Sequence, residues 1–459
     1  MELENNITPD PESYSELLKE FGDNILPEIE RLLNFYNKNP FNTRKRKISI
    51  EKFKTVITLI NNNIKKPLQE IHSFYNDNFH IEDFDRIDIV LAVALSRKLE
   101  GIPIWLILVG ASGDMKSVQL NSLDNDTSYV IHNLTSKTLV NGYKDKDKFP
   151  DLAPELNDKV LIIPDMAQIL KLPPNEKAEL WGQLRDLYDG LAGKVSGMGS
   201  RSRYKDLKVT LLAGSTPSID GQILVHQDLG TRELIYRTQG NKHKKKSMQK
   251  CFDNEDREKI ISSKLKEMTQ GFLEETKIVR TPLTEDNYKE LMQISTYITF
   301  MRATAEVDSY TSELRNDVYP EEPTRIAKQM KRLFVCLKSL DEDYSDKKAF
   351  RILWHTAKSS AFPIRVKIFE KLLTGQEFST SSLSEALHIG KKTAQRELAV
   401  LWNMNLIKCR REIINSMYPD RTYDYWIINK DHEFIINIEK DKIMQKIKLK
   451  TVTKYNTHI

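Results

Sequence analysis

Eight residues, Gly110-Ala111-Ser112-Gly113-Asp114-Met115-Lys116-Ser117, follow the apolar run from Ile102 to Val109. Together they read as a buried strand entering a loop that can cradle phosphate. A glycine-rich turn lets successive backbone N–H groups converge on phosphate oxygens. The helix behind it adds the positive end of its dipole, and a lysine and a hydroxyl address the terminal phosphates and a magnesium ion. Lys116 and Ser117 stand where those two roles fall. Met115 departs from the usual spacing, which has a second glycine just before the lysine; a side chain there is expected to crowd the ligand or strain the turn.

A second carboxylate follows at the right remove. Val160 to Ile163 is an apolar run that passes through Pro164 to Asp165, a strand end suited to holding magnesium with Ser117. Met166 occupies the position at which a glutamate would activate the attacking water, so a base must come from elsewhere, with Glu155 as a candidate. Lys208 to Ala213 is another apolar strand, leaving through Gly214, Ser215, Thr216 and Pro217, and either Ser215 or Thr216 suits a polar contact to the terminal phosphate or the attacking water. Arg232 and Arg237 then straddle a short apolar strand, Leu234 to Tyr236. An arginine of this kind, presented by a neighbouring subunit, neutralises charge developing on a transferred phosphate.

A separate group lies near the C-terminus. Pro363 to Leu373 reads as a helix stopped by Gly375, Ser381 to Leu387 as a second, and Lys391 to Leu401 as a third after the turn His388-Ile389-Gly390. The grammar is helix-turn-helix. Ala394, Leu398 and Leu401 are expected to face a core, leaving Lys391, Lys392, Gln395 and Arg396 exposed. Leu406 to Ile413 and Tyr423 to Ile428 complete a two-stranded wing. Lys391, Lys392, Arg396, Arg410 and Arg411 are the expected phosphate contacts, and Gln395 the residue that reaches a base edge. Lysines at a helix N-terminus oppose the dipole, which favours an anionic partner; a protein-docking role for the domain is the alternative.

The elements needed to position these groups are legible around them. Tyr129 to Ile131 joins the apolar runs as a further strand, and strands alternating with helices imply a mostly parallel sheet. Asp83 to Leu95 reads as a helix framing that core. Helical periodicity marks the region before it and the stretches from Glu255 to Glu274, Asp286 to Arg302 and Glu322 to Leu340. The expected division is a helical N-terminal region 1–82, a nucleotide-binding core 83–252, a helical lid and connector 253–347, a winged-helix domain 348–430 and a tail 431–459.

Composition bounds the class. Of 459 residues, 39% are hydrophobic and 29% charged, as in a charge-rich globular protein, and the net charge of +5 alone says little about anionic partners. The basic runs at Arg44 to Lys47 and Lys242 to Lys246 say more by clustering. Cys251, Cys336 and Cys409 are widely spaced, arguing against a zinc site or disulfide framework and for a reducing compartment. No apolar segment reaches the roughly 20 residues needed to span a bilayer, so the expectation is a cytoplasmic protein with no membrane partner.

Taken in order, the loop, the acidic strand end, the polar strand end and the arginine with a helical domain behind them resemble the AAA+ superfamily of ring-forming ATPases. Leu229-Gly-Thr-Arg232-Glu-Leu-Ile-Tyr236 most resembles the arginine-finger segment of minichromosome-maintenance-like helicases. Gln183 to Gly190 resembles a segment of helicase-like ATPases of mobile elements. The resemblance implies an α/β P-loop NTPase core with a helical lid and a C-terminal winged helix. It also implies ATP and magnesium as ligands, DNA as partner, and a homo-oligomeric, hexameric ring. Arg232 would act in trans, and Arg325 would be the lid arginine. The function implied is a DNA-dependent ATPase, a replicative helicase or translocase; with Met115 and Met166 the alternative is a DNA-binding regulator or initiator that binds ATP and hydrolyses it poorly.

Overall fold

The computed structural model describes residues 66–440 except 142, 144, 196–200, 222–231, 241, 242, 281, 307, 309–313 and 414–421. The basic run Arg44 to Lys47, most of the N-terminal region, Lys242, the segment from Leu229 to Thr231 and the turn of the wing lie outside the described residues. The chain divides into two compact units, Met1–Glu70 and Ile71–Ile459; apart from the first residues of the helix Pro67–Phe79, everything below lies in the second.

Five strands form its central sheet: β1 (Trp105–Val109), β2 (Ser128–Val130), β3 (Lys159–Ile163), β6 (Val209–Ser215) and β7 (Leu234–Arg237). They lie in the order β2-β3-β6-β1-β7, and every neighbouring pair is parallel. The fold is thus mixed α/β around a parallel sheet, as alternating strands and helices predict. Between β3 and β6, strands β4 (Ala192–Val195) and β5 (Arg201–Tyr204) form a separate antiparallel hairpin.

Both faces of the sheet are covered, so β1 and β6 are buried along their whole length and read as unbroken apolar runs. Helix α1 spans Pro67–Phe79 and α2 spans Phe84–Leu95; α2 is capped by the Asp83 carboxylate, which accepts from Arg86 N–H at 3.3 Å, and is buried from Arg86 to Leu95. Short helix α3 (Lys116–Asn121) follows β1. Trp105 anchors the strand it opens: its indole N–H donates to Val209 O at 2.7 Å, and its ring meets Tyr188 edge-on at 5.3 Å. That tyrosine ends α4 (Pro174–Tyr188).

The outer edge, β7, is sealed rather than left open for another strand. Helix α5 (Asp346–Ser360) runs beside it. Ile235 N–H donates to Ser360 Oγ at 2.8 Å, Arg237 N–H to Ser359 Oγ at 3.1 Å, and the His355 imidazole bonds Arg237 O at 2.7 Å. Sequence reading assigns most of α5 to the winged helix; its contacts tie it to the sheet.

Helices α6 (Glu285–Arg302) and α7 (Thr324–Lys338) pack on α5. Beyond them α8 (Pro363–Leu372), α9 (Thr380–Leu387) and α10 (Lys391–Asn403) close on a three-stranded sheet, β8 (Phe378–Ser379), β10 (Thr422–Ile428) and β9 (Ile407–Ile413). Ala394, Leu398 and Leu401 are buried here as periodicity requires. The segment expected to be a tail opens with a helix, Glu433–Lys440, that buries Phe434, Ile435 and Ile438.

Candidate nucleotide site and nucleic-acid surfaces

The order of the strands fixes where a ligand can sit. The connection leaving β1 runs across the sheet towards β2, and the one leaving β6 runs the opposite way to β7, so the carboxyl ends of β1 and β6 flank a reversal of strand order. Ligands of parallel α/β sheets bind at such points. The 110–117 loop leaves β1 there.

The backbone of that loop is pinned on both sides. Gly110 N–H donates to Ser215 O at 3.1 Å, and Thr238 N–H donates to Val109 O at 2.9 Å. A Cβ on Gly110 would lie 1.9 Å from Thr238 Oγ1 and 2.1 Å from Asp114 Oδ2, so any larger residue would displace the bond between those two side chains. Gly113 has φ +77° and Met115 φ +67°. Met115 therefore sits in the left-handed conformation that glycine adopts without cost, and its side chain does strain the turn, by about 1–2 kcal/mol.

Lys116 begins α3 and is turned back into the loop. Its ammonium donates to Gly110 O at 2.9 Å and Ala111 O at 2.7 Å, and pairs with Asp114 Oδ1 at 2.7 Å. The other oxygen of Asp114 accepts from the Thr238 hydroxyl at 2.6 Å. Ala111, Ser112 and Gly113 are exposed at the rim.

Ser117 and Asp165 are brought together. The serine hydroxyl donates to Pro164 O at 3.4 Å, beside exposed Asp165, whose carboxylate accepts from Ala167 N–H at 2.9 Å. Pro164 lies just past β3, where its missing N–H breaks no ladder bond. Close approach of β6 to this strand end needs Gly214, since a Cβ there would stand 2.4 Å from Pro164 O. Ser215 is buried, while Thr216, bonded to Ser218 Oγ at 2.8 Å, is half-buried at the same edge.

The two base positions fare differently. Met166 is 2% exposed, and its N–H donates to Gly214 O at 2.8 Å, so position 166 points into the core and away from the loop. Glu155 lies in a turn before β3, at the opposite end of the strand from Asp165.

Arg232 precedes β7, level with the amino end of β1, so about 17 Å of strand separates it from the loop. Its guanidinium pairs with Asp189 Oδ2 at 2.8 Å, and its carbonyl accepts from Gln329 Nε2 at 2.7 Å. Gln329 also donates to Tyr188 OH at 2.9 Å; burial pushes that phenol up to about 12 despite Arg325 and Arg232 nearby. Arg325, one turn before Gln329 on α7, pairs with Glu321 at 2.6 Å, and Glu321 also lies 3.6 Å from buried Arg302. Arg325 and Arg232 are thus neighbours at the amino end of the sheet. The resemblance gives Arg325 the part of a lid arginine; the structure groups it with Arg232 around Tyr188.

The hairpin β4–β5 escaped sequence reading. Arg201 and Arg203 alternate with Ser202 and Tyr204 and are exposed on one face with Val195, while Ser202 and Tyr204 turn inward. Its signal was present: alternation on both sides of the glycine-containing stretch Gly197-Met-Gly199.

In the C-terminal domain Lys391, Lys392 and Gln395 are exposed and Arg396 is half-exposed. Lys391, Gln395, Arg396 and Trp402 line one wall of a cleft of about 1,600 Å³, with Tyr319 and Tyr423 elsewhere on its lining. Arg410 pairs with Glu377 at 2.7 Å and with Glu412, and Arg411 with Asp424 at 2.8 Å. Arg365 is buried and joins Glu397 of α10 at 2.9 Å to Ala303 O at 2.5 Å.

No protein-family model matches the chain, and a search of curated proteins finds no match. The class established is the one its architecture defines, a mixed α/β protein with a parallel central sheet. Among the described residues no helix is long and apolar enough to cross a membrane.

Proposed function

We propose that the chain is a DNA-dependent ATPase of the ring-forming AAA+ kind, a helicase or translocase in which ATP and magnesium sit at the junction between subunits. The residues of the loop fit a nucleotide: Gly110 and Gly113 permit a tight backbone cradle, and Lys116, Ser117, Asp165, Ser215 and Thr216 converge on one edge of the sheet. Lys116 would hold the phosphates, Ser117 and Asp165 the magnesium, and Ser215 or Thr216 the terminal phosphate or water.

The observation that carries the reading is the polarity of the sheet. The phosphate-binding residues occupy its carboxyl edge, whereas Arg232 and Arg325 occupy its amino edge, one strand length away. Arginines placed so can reach only another subunit's nucleotide, where they would neutralise transition-state charge. Lys391, Lys392, Gln395 and Arg396 of α10, with Arg410 and Arg411 of the wing, are the proposed duplex contacts. Arg201 and Arg203 on the hairpin add a second cationic face for a nucleic-acid backbone.

A mixing experiment tests the arrangement. Lys116→Ala and Arg232→Ala variants should each lack DNA-stimulated ATP hydrolysis, and their equimolar mixture should recover part of it, because an intact loop then meets an intact arginine across a junction. No recovery in mixtures that do co-assemble would refute action in trans. Met166 supports a second reading, a DNA-binding initiator that binds ATP with little turnover, since no carboxylate follows Asp165 into the site. Wild-type protein that binds ATP but does not hydrolyse it, with or without DNA, would select that reading.

A further inference from the structure

Beneath the loop lies a cation that the proposed function leaves unused. Arg86, in the first turn of α2, is 3% exposed. Its Nε donates to Gln119 Oε1 at 2.8 Å, and Gln119 Nε2 returns a bond to Arg86 O at 3.1 Å. One terminal nitrogen, Nη1, donates to Asp114 O at 2.8 Å. The other, Nη2, is buried without a hydrogen-bond partner, and among the described residues no carboxylate forms an ion pair with this guanidinium.

Such an arrangement is costly in a resting protein. A buried charge is retained when paired or fully hydrogen-bonded, and neither holds here. Its surroundings say what would complete it. Asp114 is the loop residue whose carboxylate engages Lys116, and Gln119 lies on the helix that Lys116 and Ser117 begin. Arg86 therefore grips both the loop and the helix behind it, from the protein side.

We infer that Arg86 is the buried counter-charge of the phosphate site, a positioning residue that holds the 110–117 loop and whose positive charge is compensated when a polyphosphate binds there. The inference rests on reading that loop as a phosphate site and deepens it: binding strength should follow the charge of the phosphate chain through Arg86 as well as Lys116. A side chain that only joined α2 to α3 would show no such dependence, because its loss would weaken every ligand alike.

The experiment is calorimetric titration of the full chain with ATP, ADP and inorganic pyrophosphate, together with melting temperatures with and without each. The proteins are wild type, Lys116→Ala, Arg86→Gln and Arg86→Lys. Arg86→Gln is expected to weaken ATP about tenfold or more and ADP by less. Whatever the ligand-free melting temperature becomes once the bonds to Gln119 and Asp114 O are lost, the variant should lose a larger share of the rise that ATP produces than of the rise that ADP produces. Arg86→Lys, which keeps the charge without the planar fork, is expected to retain ATP affinity within about threefold. Two results overturn the inference while leaving the loop reading intact: Arg86→Gln binding all three ligands as wild type while Lys116→Ala does not, or both Arg86 variants losing all three equally. Wild-type protein that binds none of the three refutes the loop reading itself, and the inference falls with it.

Discussion

The Lys116 ammonium lies 2.7 Å from the carboxylate of Asp114, two residues earlier in the same loop. Both side chains are mostly shielded from water, so the attraction is only partly screened. An anion that takes Lys116 must replace this partner. Asp114→Asn removes the competing charge: its amide oxygen can still accept from the ammonium, while its NH2 takes the place of the second carboxylate oxygen and donates to the Thr238 hydroxyl oxygen, which turns to accept. It is expected to tighten ATP binding several-fold, about 1 kcal/mol, and to lower the ligand-free melting temperature slightly. Fluorescent-nucleotide titration measures the first effect; weaker binding would mean that Asp114 serves the nucleotide directly.

Met115 offers a test of backbone strain alone. Its φ of +67° puts a Cβ where glycine has none. Met115→Gly relieves about 1–2 kcal/mol of conformational strain but gives back roughly 0.5–1 kcal/mol in unfolded-chain entropy. A net gain of up to about 1.5 kcal/mol in urea unfolding is expected, with Met115→Ala showing none because alanine keeps the Cβ. Equal effects of the two would assign the change to the lost methionine side chain.

These two residues also mark how far sequence alone reaches. Ile107 and Leu212 announce buried strands through unbroken apolar runs, and Ala394 and Leu398 announce a helix through spacing, because each signal is local and repeated. The strain at Met115 was legible for the same reason, a side chain where a turn wants glycine. Arg86 was not: it stands 30 residues before Lys116 in an apolar helix, and only the packing of α2 under the loop brings its guanidinium to Asp114 O. Thr238 and Asp114 meet across 124 residues, again without a local signal. The positions of Arg232 and Arg325 relative to the loop depend on strand order, which no window of sequence contains. At Met166 the sequence offers no acid after Asp165, and the structure places that side chain in the core.

Acid sensitivity should centre on Asp88, which is fully buried and accepts from His72 Nε2, Tyr344 OH and Lys348 Nζ, each at 2.6 Å. Burial would raise this carboxyl, but the hydrogen bonds and charges of His72 and Lys348 outweigh it and hold it below the usual carboxylate range. A depressed folded-state value means that the contribution is full above the unfolded carboxyl's titration near pH 4 and is lost as pH falls through the lower folded value. Asp88→Asn should therefore cost about 3 kcal/mol at neutral pH and flatten the acid limb of the stability curve. An acid limb as steep as wild type would place the responsible carboxylate elsewhere.

Lys391 and Lys392 are exposed at the start of α10, where a helix dipole disfavours cations. Arg411, by contrast, already faces Asp424 at 2.8 Å. If α10 meets duplex DNA, each lysine neutralises a phosphate and releases counterions, contributing about 0.9 to the slope of log affinity against log salt. Lys391→Ala with Lys392→Ala in the full chain should thus reduce that slope by about 1.8, nearly independently of DNA sequence. Arg411→Ala should reduce it less, since Asp424 competes with phosphate for the guanidinium. Fluorescence anisotropy across a salt series reads both. A double variant with the wild-type slope would remove these lysines from the interface, and binding that ignores salt altogether would turn the winged helix towards a protein partner.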